Sequence, residues 1–452
     1  MSAKRHFFVI ALILTFLSTM AATGAEKPSI LPIKKWSTST GTPVFYVYEA
    51  ELPMVDIQVI FDAGSSRDLM QPGLAKITNE ALSSGTTTMS ANDIAAAFDN
   101  VGAQFSAAVN RDMAIVALRT LSDPKYFQPA YNTFTEVLTK AHFPDNEFKR
   151  IQKQTLNLLE EQEEQPSSIA SKAFYSAVFD NNPYGHPITG TKQSIERLGV
   201  SDLAKFYKQF YSARNSFIAI VGNIKEEQAK VIAENLSTHL PLGEALIGLD
   251  YKTKPDAERN RHIAFPSSQT HVLIGQTGIS RKDPSYFPMV VGNYILGGGT
   301  LTSRLFDEVR EKRGLAYSVR SQFSALRDRG PFIIELQTRN SEANNAIKIV
   351  NDTLTKFVQV GPTAQELNSA KKNLTQGFIL RLASNSAIIS QLVNIGYYQL
   401  PLDYLDSYQN NISKVTDQQI KTVFQSLIHP TNLITVTVGN NAAEKNAQTK
   451  PS

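Results

Sequence analysis

Cysteine is absent from the 452 residues. No disulfide can staple the fold, so stability has to come from buried apolar surface, which a chain of this length can supply over several domains. An excess of one charge sign is also missing. With 45 Lys and Arg against 41 Asp and Glu the formal net charge is +4, and it falls to +2 without Lys4 and Arg5. So small a surplus, with no basic block interleaved with aromatics, gives no reason to expect a nucleic-acid partner. Apolar runs long enough to cross a membrane are lacking as well. The one candidate, residues 7–17, follows Lys4 and Arg5 and precedes the small-residue stretch Thr23-Gly24-Ala25. That order reads as a cleaved export signal over 1–25, which would leave a periplasmic or secreted chain with no stable membrane span. Paired histidines are the last absence. His6, His142, His186, His239, His262, His271 and His429 are scattered, and no His-x-x-Glu-His or its inverse occurs. Each reads as a packed or solvated residue rather than a metal ligand.

What is present is an alternation of strands and helices that runs twice. The stretch MVDIQVIF at 54–61 alternates as a half-buried strand does, and further strands are expected at 44–48, 104–109, 113–120 and 216–221. Helices are expected near 73–82, 90–101, 124–140, 145–164, 169–179, 200–211 and 225–240. After a polar, Pro-containing stretch the order begins again. It has strands at 271–275, 315–323, 331–338 and 433–438, and helices at 286–296, 305–313, 343–360, 363–382, 386–399 and 417–427. Thr416 is a plausible N-cap for the last helix. The two halves also match in residues. The first closes Ala213-Arg-Asn-Ser-Phe-Ile-Ala-Ile-Val-Gly-Asn223 and the second Pro430-Thr-Asn-Leu-Ile-Thr-Val-Thr-Val-Gly-Asn440, while Phe143-Pro144 with Glu147 is answered by Gly361-Pro362 with Glu366. Anchors at one offset indicate two copies of one unit. The expected organisation is a unit at 26–240, a linker at 241–262, a second unit at 263–445 and a polar tail at 446–452. The fold class is α+β: each unit a mostly antiparallel sheet with helices on one face, the pair forming half of a clamshell.

The stretch Gly297-Gly298-Gly299 to Tyr317, GGGTLTSRLFDEVREKRGLAY, carries the most chemistry. An amphipathic helix over 304–313 would turn Leu305, Phe306 and Val309 inward and end at Gly314, a left-handed C-cap. Arg310 and Tyr317 flank that break. A guanidinium fork and a phenol on two rigid elements suit an extended peptide backbone or its carboxylate, although capping and sheet packing explain them locally as well.

Four strings make the chain resemble the pitrilysin/insulinase family of zinc peptidases, nearest its short, two-unit, processing-peptidase-like members. They are Phe61-Asp-Ala-Gly-Ser-Ser-Arg-Asp68, Gly73-Leu-Ala75 with Gly85-Thr86, Asn182-Pro-Tyr-Gly-His-Pro187 with Gly190, and Ser303-Arg-Leu-Phe-Asp-Glu-Val-Arg-Glu-Lys-Arg-Gly-Leu-Ala-Tyr-Ser318. The resemblance spans about 44–440 and makes His186 part of a loop's architecture. In catalytic members the helix after Gly-Leu-Ala carries His-x-x-Glu-His, two imidazoles one turn apart for zinc and a glutamate to activate water, with a distal glutamate completing the site. Here Lys76, Asn79 and Glu80 stand at the first histidine, the base and the second histidine, and the distal position falls at Asn157, or at Leu158 if the register slips by one. An ammonium at 76 repels a cation and can pair with Glu80, and an amide at 79 takes no proton from water. The resemblance therefore implies a zinc-free chain that lacks catalytic residues of its own and needs no cofactor. Its Arg310 and Tyr317 would hold substrate beside the zinc of a homologous partner chain, with Gly297, Gly298 and Gly299 as a wall free of side chains. The partner would bear the zinc motif in a heterodimer or larger complex, with a homodimer also open, and the substrate would be peptide or unfolded polypeptide. The alternative is a stand-alone clamshell that captures peptide without hydrolysis.

Overall fold

The computed structural model describes residues 29–244, 246, 248–252 and 258–440. The expected export signal and polar tail therefore lie outside the described residues. The first unit contains β1 (Lys34–Ser37), β2 (Pro43–Tyr48), β3 (Met54–Phe61), β4 (Gln104–Val109), β5 (Ala114–Leu121) and β6 (Ser216–Gly222), in the sheet order β1-β2-β6-β3-β5-β4. The second contains β7 (Asn260–Ala264), β8 (Gln269–Thr277), β9 (Ala316–Phe323), β10 (Pro331–Arg339) and β11 (Ile434–Gly439), ordered β7-β11-β8-β10-β9. In both sheets one pair is parallel, β2 with β6 and β7 with β11, and every other pair is antiparallel. The second sheet thus retraces β2-β6-β3-β5-β4, so the duplication legible at the closing strands extends through the topology. Strand β7 starts inside the stretch read as linker; its polar sequence NRHIA joins the sheet only through β11, remote in sequence.

Each sheet carries helices of its own unit on one face. The other face is covered by a helix from the opposite unit. The Pro166–Phe179 helix of unit one packs on β8 and β11, placing Phe174 and Val178 among Leu273, Ile434 and Val436. The Asn385–Tyr397 helix of unit two packs on β2, β3 and β6, joining Ile389 and Val393 to Phe45, Ile60 and Phe217. Glycines admit both intruders: a Cβ on Gly275 would lie 2.9 Å from the Phe174 ring, and one on Gly396 would lie 2.6 Å from the Phe217 ring. Burial on both faces also explains why all seven residues of β6 are buried. Among the described residues no single helix is long and apolar enough to cross a membrane.

A polar seam completes the join. Asp112, in the turn between β4 and β5, is fully buried, and its carboxylate accepts from the Tyr184 hydroxyl at 2.5 Å, the Tyr398 hydroxyl at 3.0 Å and the Arg327 amide at 2.8 Å. The Arg327 guanidinium reaches Asp62 at 2.6 Å, and Arg67 holds the same carboxylate at 2.7 Å. Tyr397 donates to the Asp112 carbonyl at 2.6 Å. Gly64 has to be glycine, because its Cβ would sit 2.3 Å from the Asp112 carbonyl carbon. Removing the Asp112 carboxylate orphans donors from both units. Asp112→Ala is expected to cost roughly 3–5 kcal/mol of stability in urea unfolding; a loss below about 1 kcal/mol would show that the seam is not structural.

Candidate functional site

The helix that the resemblance sets at the metal-site position, Leu74–Glu80, is short and firmly placed. Its start is set by Gly73, left-handed at φ 95°, and by Asp68, whose buried carboxylate accepts from the amides of Gly73 at 2.8 Å and Ala75 at 2.7 Å. Burial raises the Asp68 pKa well above the usual carboxylate range, against the pull of those two amides. Gly190 lies against this turn; its Cβ would be 2.4 Å from the Pro72 carbonyl oxygen, which ties the 182–190 loop to the helix start. Leu74, Ala75, Ile77, Thr78 and Asn79 are buried, and Lys76 and Glu80 form a salt bridge one turn apart.

These two residues open onto a hollow of about 310 Å³ that is also lined by Arg150, Gln154 and Leu158 of the Asp145–Glu163 helix. Leu158 borders the hollow, whereas Asn157 is exposed and does not line it. Asn79 has turned inward. It is fully buried, its Oδ1 accepts from the Tyr211 hydroxyl at 2.8 Å, and its Nδ2 donates to the Ile115 carbonyl at 3.4 Å. The hollow thus offers one carboxylate, already paired, beside the cations Lys76 and Arg150. That donor set does not fit a zinc ion, which needs several neutral or anionic ligands. Among the described residues no group of three or more His, Cys, Asp or Glu side chains could hold a metal. His186, in the 182–187 loop, is largely buried 3.8 Å from Asp68, and burial lowers its pKa.

The glycine-rich stretch lies in unit two. The Tyr286–Asn293 helix widens into a π turn over Tyr294–Gly298, and the chain turns again through Thr300–Thr302. Gly297 is buried, and its Cβ would lie 2.5 Å from the Ser321 amide, so close approach to β9 demands glycine there. Gly298 is exposed and Gly299 is partly buried against Tyr294. Thr300 adopts φ 49°, a left-handed conformation unusual for a β-branched residue.

The expected α-helix over 304–313 is instead π-helical at Phe306–Glu311, with the Lys312 amide donating to the Asp307 carbonyl at 3.0 Å. It ends at Gly314 (φ 58°), where the Gly314 and Leu315 amides return to the carbonyls of Arg310 and Val309, each at 2.9 Å. Arg304 fastens the segment from behind: its fork meets Glu366 at 2.6 and 2.7 Å and it donates to the Gly361 carbonyl at 2.9 Å.

Lys312 pairs with Asp307 and Glu308, and Arg313 with Glu308. Arg310 has no hydrogen bond or ion pair with any described residue. Its guanidinium lies 4.8 Å from the Phe306 ring centroid and 4.9 Å from that of Tyr317, whose side chain is 82% exposed. Two rings position the cation while its N–H groups stay available to a carbonyl or carboxylate, with the Tyr317 phenol alongside. The sequence placed Arg310 near Tyr317, but Phe306 as the second ring was missed; its i, i+4 spacing to Arg310 was the signal.

Residues 44–192 match the model for insulinase (peptidase family M16), and residues 197–374 match that for the peptidase M16 inactive domain. A crystal structure of a peptidase M16 inactive domain from Pseudomonas fluorescens is 38% identical and superposes with a TM-score of 0.87, over 91% of this chain and 99% of that one. The non-peptidase homolog YmxG of Helicobacter pylori is 26% identical over 89% of this chain and 93% of its own length. An uncharacterized zinc protease YmxG of Bacillus subtilis is 25% identical over 79% of this chain and 87% of its own.

The Arg304–Glu366 clamp gives the segment a pH dependence. Burial opposes the charged form of Glu366, but the Arg304 fork and the amide and hydroxyl of Thr363 outweigh it and hold the pKa at about 2, below its ordinary 4.5. A depressed folded pKa means that this stabilisation is complete above the unfolded value and fades as pH falls from 4.5 toward about 2. Urea midpoints of the wild type should therefore drop more steeply across that window than those of Glu366→Gln; parallel curves would show that the clamp adds no linkage.

Proposed function

The chain belongs to the M16 (insulinase) peptidase family as a member without the residues of the zinc site, and from that premise we propose that it is the substrate-holding subunit of an exported metallopeptidase. In this reading Arg310 and Tyr317 grip the backbone or terminal carboxylate of an extended peptide, while a homologous partner chain carries the zinc and performs hydrolysis. The observation that supports it most is the contrast between the two units. The cation–carboxylate pair of unit one is closed on itself, and the Arg310 guanidinium of unit two is held in place with its donors free. In the same reading the exposed Gly298 and the partly buried Gly299 would serve as a substrate-side wall free of side chains.

Binding of this kind raises turnover by orienting the peptide, so its loss is felt at the partner's reaction rather than in the fold of this chain. Co-purification from the native source should yield a partner bearing His-x-x-Glu-His, and mixing the two chains should hydrolyse unfolded peptides that neither cleaves efficiently alone. Arg310→Ala and Tyr317→Ala should each lower turnover of the mixture by roughly tenfold or more while leaving assembly intact. Unchanged turnover in both variants would remove the substrate-holding role. Recovery of the chain alone or as a homodimer, with peptide bound and no hydrolysis, would favour a peptide-capturing clamshell instead.

A further inference from the structure

A cavity of about 570 Å³ opens on the outer side of the Pro166–Phe179 helix and shares no lining residue with the hollow at Lys76. At its wall stands Arg111, from the turn between β4 and β5. The guanidinium lies over the Tyr175 ring, 3.7 Å from its centroid, and its Nε donates to the Tyr184 carbonyl at 3.2 Å. Its two terminal nitrogens make no hydrogen bond or ion pair with any described residue. Asp112, next in the chain, has committed its carboxylate to Tyr184, Tyr398 and the Arg327 amide. Asp112 still favours the charged guanidinium electrostatically, but among the described residues no carboxylate forms an ion pair with it, so a mostly buried cation turns unbonded donors to the cavity at a desolvation cost. Burial lowers the Arg111 pKa from its ordinary value, consistent with that cost.

Among the other polar lining groups hydrogen-bond donors predominate. Lys172 and Lys192 supply ammonium groups, Ser167 and Ser171 supply hydroxyls near the start of the helix, and Glu163 at the exposed rim is the one acid in the lining. Lys192 is only loosely engaged, 3.7 Å from an exposed Glu160. Leu159, Ile169 and Ile188 add apolar wall.

We propose that this cavity binds an oxyanion-bearing ligand, a carboxylate or a phosphate, seated on the free edge of the Arg111 guanidinium with Lys172 and Lys192 beside it. The stacking on Tyr175 fixes the plane of the fork, so two parallel N–H donors meet two oxygens of the ligand. The site does not depend on any partner chain or on Arg310.

Calorimetric titration of the full chain tests this with inorganic phosphate, with a short apolar peptide ending in a free carboxylate, and with the C-terminal amide of the same peptide. Saturable binding of phosphate, of the free-acid peptide, or of both is expected, with the amide weaker than the acid by about tenfold. Phosphate alone would identify a phosphate-bearing ligand, and the acid alone an organic carboxylate. Arg111→Lys, which keeps the charge but loses the fork, should weaken binding about tenfold. Lys172→Ala, at an exposed position that leaves folding intact, should weaken it severalfold. Absence of binding to both probes, an amide that binds as well as the acid without phosphate binding, or binding unaltered in both variants would overturn the site.

Discussion

The Asp112 carboxylate joins the two halves. Held by Tyr184 from the first unit and by Tyr398 and Arg327 from the second, it sits where two exchanged helices have already interlocked the sheets. Hydrophobic burial supplies most of the favourable energy of that interlock, and the polar contacts select one relative placement, because shifting either unit strands buried donors. The hollow at Lys76 and the segment bearing Arg310 are consequently parts of one body. This seam also accounts for two of the sequence strings on which the resemblance rests. Asp62, Gly64, Arg67 and Asp68 of the first string, and Tyr184 of the loop string, serve the seam and the start of the Leu74–Glu80 helix. Their work is architectural and needs no metal.

The hollow at Lys76 is electrostatically balanced. A lone ammonium or carboxylate left in the hollow would be poorly compensated, but Lys76 and Glu80 sit one helical turn apart and neutralise each other at a partly exposed site, where such a pair is worth only a few tenths of a kcal/mol. Asn79 has left the hollow for the core, where Tyr211 and the Ile115 carbonyl satisfy its amide. In unit two Asp307 and Glu308 are occupied by Lys312 and Arg313, and the Arg310 guanidinium is positioned by two rings. Charge is locally consumed in one place and locally spared in the other.

Much of this was legible in local patterns. The strand at 54–61 was legible, although β3 is buried on both faces rather than half-buried; Gly314 marked the end of its helical segment, and Thr416 forms a capping box with Gln419. The closing strands Ser216–Gly222 and Ile434–Gly439 revealed the duplication. What escaped depends on distant partners. The sequence marks a helix near 169–179, but not that its buried residues belong against the other unit's sheet. Strand β7 is polar and is recruited only by β11. The helices Lys192–Arg197 and Tyr404–Lys414 were too short or too polar to stand out, and the π geometry at Phe306–Glu311 adjusts a helix that a simple 3.6-residue repeat describes well. At the site, the i, i+4 spacing of Lys76 and Glu80 was plain, whereas the inward turn of Asn79 required knowing that Tyr211 waits beneath it. Asp112 resembled an ordinary turn residue until its partners from the second unit were in place.

The proposed role stands on unit one presenting, at Lys76 and Glu80, a cation-bearing hollow whose donors do not fit zinc. Metal analysis of the purified full chain, followed by calorimetric titration with zinc, tests this most directly. The prediction is substoichiometric metal as isolated and no tight saturable zinc binding. One zinc held tightly per chain, and lost on Glu80→Ala, would contradict it.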